Sequence, residues 1–233
     1  MKQHMRVFDL THTLHDAIPS WEEAEGFSTA PLANIATQGY SNRWLQLDEH
    51  CGTHLDAPAH LIVNGKTIDR LEPENLVTPL AVIDFRDICS TSPDAVPSIP
   101  LFQAWESAHG PLPHHATILL HTGWSERWMA PERYRNADES GILHFPGYSL
   151  EAARWLVEER GAVALGIDAL SVDRGADEAL PVHRYCLAKG VYLLENVSVP
   201  SELPATGATL VSAPLKVAGA SGAPARLLAL VRG

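Results

Sequence analysis

Basic residues are scarce in this sequence: 17 Lys and Arg stand against 28 Asp and Glu, a formal charge of −11 over 233 residues. No dense Lys/Arg run occurs anywhere. That excludes duplex nucleic acid as the expected partner, because phosphate recognition draws on clustered cationic side chains. Cysteine is rarer still. Cys51, Cys89 and Cys186 are too few and too scattered for a disulfide framework, and the missing C-x-x-C argues against a Cys-rich structural zinc site. No apolar run approaches the ~18 residues of a membrane span. The opening M-K-Q-H-M-R-V-F-D-L lacks the apolar core of a secretory signal. The expectation is a cytoplasmic protein with no membrane partner. Internal repeats, low-complexity tracts and linkers are also missing, so residues 1–233 read as a single domain.

What the chain does have is apolar residues, 45% of the total, and twelve histidines. Short buried-strand patterns occur at Pro79 to Phe85, Ala116 to His121, Ala162 to Ile167, Gly190 to Asn196 and Ala225 to Val231. Trp44 to Asp48 and Thr209 to Pro214 alternate as half-buried strands do. A helix is expected over Ser149 to Arg160, with Ser149 as N-cap, Glu151 in the first turn and Gly161 as the stop. A second is expected over Ile99 to Ala108. Together these predict an α/β domain, with a mixed β-sheet and covering helices. Long loops, Trp21 to Asn42 and Met129 to Pro146, would shape a pocket.

The histidines concentrate in Glu49 to His60, E-H-C-G-T-H-L-D-A-P-A-H. Gly52 and Pro58 rule out a regular helix through this stretch. In extended chain His54 and Asp56, two apart, share a face and can chelate one ion. His50 and His60 have the same parity and join them if the backbone bends at Gly52 and Pro58. Imidazole and carboxylate donors suit zinc, manganese or iron. Further ligands are expected from His183, in L-P-V-H-R-Y-C just before a strand, and from Glu195 on that strand. There Val191, Leu193 and Glu195 share a face, so a carboxylate interrupts an apolar row and needs either a compensating charge or solvent exposure at the strand end beside Asn196.

H-x-G-T-H-x-D-x-P-x-H, followed far downstream by a His and then a Glu, resembles the metal-dependent cyclase family, which includes bacterial kynurenine formamidases and isatin hydrolases. Weaker matches at Asp9 to His12, Ile18 to Trp21, Gly166 to Asp173 and Pro214 to Arg226 extend the likeness over nearly the whole chain. The resemblance implies a compact domain of the swivelling β/β/α kind, assembled as a homodimer or homotetramer. It implies one ion on His50, His54 and Asp56, with Asp56 touching a second ion held by His183 and Glu195 bridging both. The ions would be Zn2+, with Mn2+ as the alternative. His60 would be the catalytic acid/base, and Trp21 would contact an aromatic amide substrate, with Trp44 or Phe27 as further walls.

The activity implied is hydrolysis of a C–N amide bond, foremost that of N-formyl-L-kynurenine in tryptophan catabolism, by metal-activated water. Ring opening of a cyclic amide or lactone is the alternative, ahead of a biosynthetic cyclase or dehydratase and a non-catalytic metal-binding protein. A serine hydrolase is disfavoured, because the chain has no G-x-S-x-G elbow and G-A-S-G at Gly219 has the wrong spacing.

Overall fold

The β-branched and leucine-rich runs form strands, and their alternation decides which side of the sheet each residue meets. The computed structural model describes residues 4–21 and 26–232. Residues 22–25, part of the Trp21 to Asn42 loop expected to shape the pocket, lie outside the described residues. In chain order the strands are β1 (Met5–Asp9), β2 (Phe27–Ala33), β3 (Asn42–Leu47), β4 (His54–Asp56), β5 (Val77–Asp84), β6 (Thr117–His121), β7 (Ala164–Ile167), β8 (Tyr192–Glu195), β9 (Ala208–Pro214) and β10 (Gly222–Arg232). Eight of them form one mixed sheet in the order β1-β10-β4-β8-β7-β6-β5-β9, and β9 pairs back onto β10. That last pairing closes the sheet into a barrel and leaves β1 as the flanking strand. The β5-β6-β7-β8 run is parallel and the other pairings are antiparallel. β2 and β3 stand apart as a two-stranded antiparallel sheet.

Period-two alternation divides the apolar residues into two cores. Leu80 and Val82 of β5, Leu55 of β4, Tyr192 and Leu194 of β8, and Leu227 and Ala229 of β10 pack inside the barrel. Ala81 and Ile83 of β5 and Leu193 of β8 face outward, into a core completed by helices. Those helices are α1 (Ile99–His109), α2 (Leu150–Glu158) and α3 (Pro181–Ala188). α2 forms where expected: the Ser149 hydroxyl accepts from Ala152 N at 3.1 Å, and Ala152, Ala153 and Leu156 are buried. α1 lays Phe102 and Trp105 on the sheet, where Trp105 Nε1 donates to Val82 O at 2.9 Å. Each large apolar side chain so buried contributes ~1.5–3 kcal/mol.

The structure departs from the sequence expectation at four elements. β1 and β2 carry no alternation that marks them. β3 coincides with the Trp44 to Asp48 segment but is exposed almost throughout, not half-buried. His183 lies on α3, within the stretch expected to lead directly into a strand. Pro181 starts that helix, and Asp173 supplies the acceptors for its first turn, taking hydrogen bonds from Val182 N and His183 N at 2.7 and 3.0 Å. Among the described residues no helix is long and apolar enough to cross a membrane.

Candidate metal centre

The alternation that buries Leu55 inside the barrel turns His54 and Asp56 to the outer face. β4 pairs with β8 so that His54 lies opposite Glu195. Leu194 points into the barrel, so Glu195 too projects outward, beside Leu193. α3 then covers this face and brings His183 down onto it. The two parity rules read from sequence, His54 with Asp56 and Leu193 with Glu195, therefore meet in one place.

The donor atoms converge closely. Asp56 Oδ1 lies 2.7 Å from His50 Nδ1 and 3.3 Å from His54 Nε2, and Asp56 Oδ2 lies 3.2 Å from His183 Nε2. Glu195 Oε2 lies 3.4 Å from His54 Nε2, and its Oε1 lies 3.2 Å from His183 Nε2. His54, Asp56, His183 and Glu195 are all buried. Among the described residues two donor sets form, His54 with Asp56 and Glu195, and His50 with Asp56 and His60. Both contain Asp56.

The outer hydrogen bonds decide where the imidazole lone pairs point. His54 Nδ1 donates to Gly52 O at 2.9 Å, and His183 Nδ1 donates to Asp173 Oδ2 at 2.6 Å. Ser221 Oγ donates to Glu49 Oε2 at 2.8 Å and so accepts from His50 Nε2 at 3.0 Å. Each neutral ring is thereby left with its remaining lone pair directed at a carboxylate oxygen. Lone pairs facing each other across these gaps repel unless a proton or a cation lies between them. Metal–ligand bonds of ~2.0–2.1 Å in a tetrahedral site place donors roughly 3.3 Å apart, close to the four gaps of 3.2–3.4 Å. The residues present fit a divalent ion.

Charge gives the same result. Burial alone lowers the basicity of His54, but the carboxylates of Asp56 and Glu195 outweigh it and raise the ring to about 10. His183 is raised as well, its burial overcome by Glu195, Asp173 and Asp56. Burial works against ionised Asp56, yet the flanking imidazoles hold its carboxyl well below the usual range. The chain alone thus recruits protons to a place that demands positive charge. His60 behaves oppositely: burial, with His50 and His183 adding to it, lowers its ring despite the nearby carboxylates. It sits 4.0 Å from His50 and 5.9 Å from His183 between ring centroids. Burial pushes the Cys51 thiol up to about 11, which keeps it protonated at neutral pH.

The backbone bends at Gly52 as expected, and it is held there by groups the sequence reading did not single out. Gly52 has φ +64°, and a Cβ there would run into Leu14 Cδ2. Asn196, also left-handed at φ 52°, donates from Nδ2 to Gly52 O at 2.9 Å, and its own carbonyl accepts from Thr53 Oγ1 at 2.6 Å. Asp173, noted in the sequence without a role, orients His183. The spacing of the motif does not reveal such partners, since they act through atoms far away in the chain.

The donors open onto a cleft of about 650 Å³ lined also by Pro19, Trp21, Cys51, Leu170, Ser171 and Leu180. Trp21 is part of this wall and stacks edge-on against Phe145 at 5.8 Å. Phe27 is buried in the outer core and Trp44 is exposed on β3, so neither lines the cleft. Lys216 and Arg226 are likewise absent from the lining, and Arg226 pairs instead with Asp9 at 2.6 Å. His121 is buried 4.0 Å from Asp168, away from the cleft.

The closed mixed sheet with its covering helices is the fold of a class of solved hydrolases. The chain belongs to the cyclase family: the family model described as a putative cyclase matches residues 8–174. It is 34% identical to the isatin hydrolase of Roseibium aggregatum over 197 residues, covering 81% of this chain and 74% of that one. It is 27% identical to the kynurenine formamidase of Geobacillus thermodenitrificans, with 94% of each covered. Among solved structures it superposes on isatin hydrolase A from Ralstonia solanacearum with a TM-score of 0.91 at 33% identity, covering 97% of this chain and 92% of that one.

Proposed function

We propose that the protein is a metal-dependent hydrolase of a C–N amide bond in a small aromatic substrate. The observation that carries this reading is the inward aim of the imidazole lone pairs at two buried carboxylates, on the wall of a cleft that also holds His60 and Trp21. His54, Asp56, Glu195 and His183 would hold a divalent ion, and His50 would join Asp56 at the outer set. The sharing of Asp56 supports two ions, and the N/O donors suit zinc or manganese. When bound, such ions supply Lewis acidity, which acidifies water and polarises a carbonyl.

The chain's own groups supply the rest. His60, neutral at pH 7, takes a proton from the attacking water and returns it to the departing nitrogen. Trp21 gives the aromatic ring of the substrate a face to rest on, and Leu170 and Leu180 exclude water around it. The backbone hydrogen bond from Val172 N to Glu195 Oε1, 2.9 Å, fixes that carboxylate during turnover.

Two substrates satisfy this chemistry. The formamidase relatives support N-formylkynurenine, an open-chain formamide. The isatin hydrolase relatives support a cyclic amide, and the cleft adds an observation in its favour: none of its described lining residues is Arg or Lys. A neutral ring needs no partner for a free carboxylate, whereas an amino-acid substrate does. The test is turnover of N-formylkynurenine and of isatin by chelated protein, then after zinc or manganese is restored. Metal-restored hydrolysis of either substrate supports the class and chooses between the two readings. Failure of both with full metal occupancy refutes the amide reading. His60→Ala should keep its metal and lose about 10²-fold or more in kcat; retained turnover removes the proton-transfer role.

A further inference from the structure

Between β7 and α3 the chain runs R-G-A-D-E-A-L-P from Arg174 to Pro181, and its two adjacent acids have different fates. Asp177 is neutralised, its Oδ1 accepting from the Arg174 guanidinium at 2.6 Å. Glu178 is exposed and lines the cleft, and among the described residues it has no hydrogen-bond or ion-pair partner. The backbone on either side of it is nonetheless held. Gly175 N donates to Phe145 O and Leu180 N to Asp177 O, both at 3.0 Å, and Arg184 Nε donates to Ala179 O at 3.0 Å. Glu178 is therefore an unneutralised carboxylate on an anchored turn at the cleft mouth.

Nothing in the described lining offsets that charge. Asp48, the other acid outside the donor set, is exposed as well and accepts from His50 N at 2.8 Å. No described lining residue is Arg or Lys. Deep in the cleft Asp56 and Glu195 face imidazoles, whereas the mouth has acids alone. Low-dielectric walls, here Trp21, Leu170 and Leu180, carry the field of such a charge further than open water does. A substrate group at the mouth gains there if it is an ammonium and is repelled if it is a carboxylate or sulfonate.

We propose that Glu178 sets the charge of the substrate: the cleft takes aryl amides without net negative charge and rejects anionic ones. This rests on the amide-hydrolase reading above. The same charge acts on what leaves. Hydrolysis delivers the water oxygen to the carbonyl carbon and a proton to the nitrogen, and the acid so formed ionises to a carboxylate at neutral pH. The product thus carries a negative charge that the bond broken did not, and Glu178 favours its departure.

Two pairs of substrates, each differing by one fixed ring charge, test this on the metal-loaded enzyme: isatin with isatin-5-sulfonate, and formanilide with 4-formamidobenzenesulfonate. Wild type should prefer the neutral member by about tenfold or more in kcat/KM. The difference should reside in KM, because repulsion at the mouth acts on ground state and transition state alike, and it should shrink as salt is raised. Glu178→Gln should reduce the preference by about threefold or more, Glu178→Lys should abolish it, and Glu178→Asp should keep it. The preference is a ratio within one variant, so partial misfolding does not mimic its loss. A preference equal in wild type and Glu178→Lys overturns the proposal, and so does a wild type that accepts both members of a pair equally. If wild type hydrolyses neither neutral member, the amide reading fails and the proposal falls with it; turnover without charge discrimination refutes the role of Glu178 alone.

Discussion

Replacing Asp173 by Asn tests the centre through a residue that touches no ion. The Asp173 carboxylate accepts three hydrogen bonds: Val182 N at 2.7 Å, His183 N at 3.0 Å and His183 Nδ1 at 2.6 Å. An amide of the same shape keeps one acceptor oxygen and turns an NH2 toward donors. If the oxygen stays with Val182, His183 loses its charge-assisted partner, a bond of ~1.5–3 kcal/mol. That energy corresponds to roughly a 10- to 100-fold fall in metal affinity, the range such outer partners command. A smaller effect opposes it: without the carboxylate, His183 holds its competing proton less tightly. The loss should therefore be clearest at alkaline pH, where that competition has faded. The assay is competition with a chromophoric chelator, alongside thermal unfolding of the metal-free protein. Unchanged affinity in a variant that has merely lost thermal stability would refute the orienting role and leave Asp173 as a cap for α3.

Proton competition itself predicts a pH dependence. His54 is raised to about 10 in the metal-free protein. Its stabilising proton is fully present below the unfolded value near ~6.5 and is lost as pH rises through about 10. Metal-free stability should thus fall over that window while metal affinity rises, by about tenfold per pH unit for each proton displaced. Isothermal titration in buffers of different ionisation enthalpy counts those protons, and an affinity flat from neutral to alkaline pH contradicts the assignment. Gly222→Ala probes packing against a candidate ligand: its Cβ would run into His50 Cε1, in a ring tied to both Asp56 and Ser221. The ring must move, and misplacement on this scale costs roughly 10²-fold in turnover with the fold retained; a kcat/KM within twofold of wild type would show that His50 position does not matter.

Much of the centre was legible because it rests on two local rules. Period-two alternation put His54 with Asp56 and Leu193 with Glu195, and Gly52 signalled the bend that returns His50. Helix α2 was readable from its cap and stripe for the same reason: the signals sit within a few residues of each other. What escaped the sequence depends on distant partners. α3 has Leu180 in a left-handed conformation at its start and no side-chain cap of its own, since its acceptors come from Asp173. β1 is a strand only because β10 offers an edge, and β3 shows alternation without burial, so its pattern alone did not say where its apolar residues would lie. Trp44 was expected in the cleft on residue type alone, and type says nothing of which way a hairpin leans.

β4 has only three residues and lies between β10 and β8. The histidine motif is therefore made early by the ribosome and completed late. Asp56 must wait for His183, 127 residues on, and His50 for Ser221, 171 residues on. Until then the motif is a flexible tract of histidines with no carboxylate opposite and no wall to exclude water. Assembly of the donor set and folding become one event, and the centre appears only in a chain whose barrel has closed.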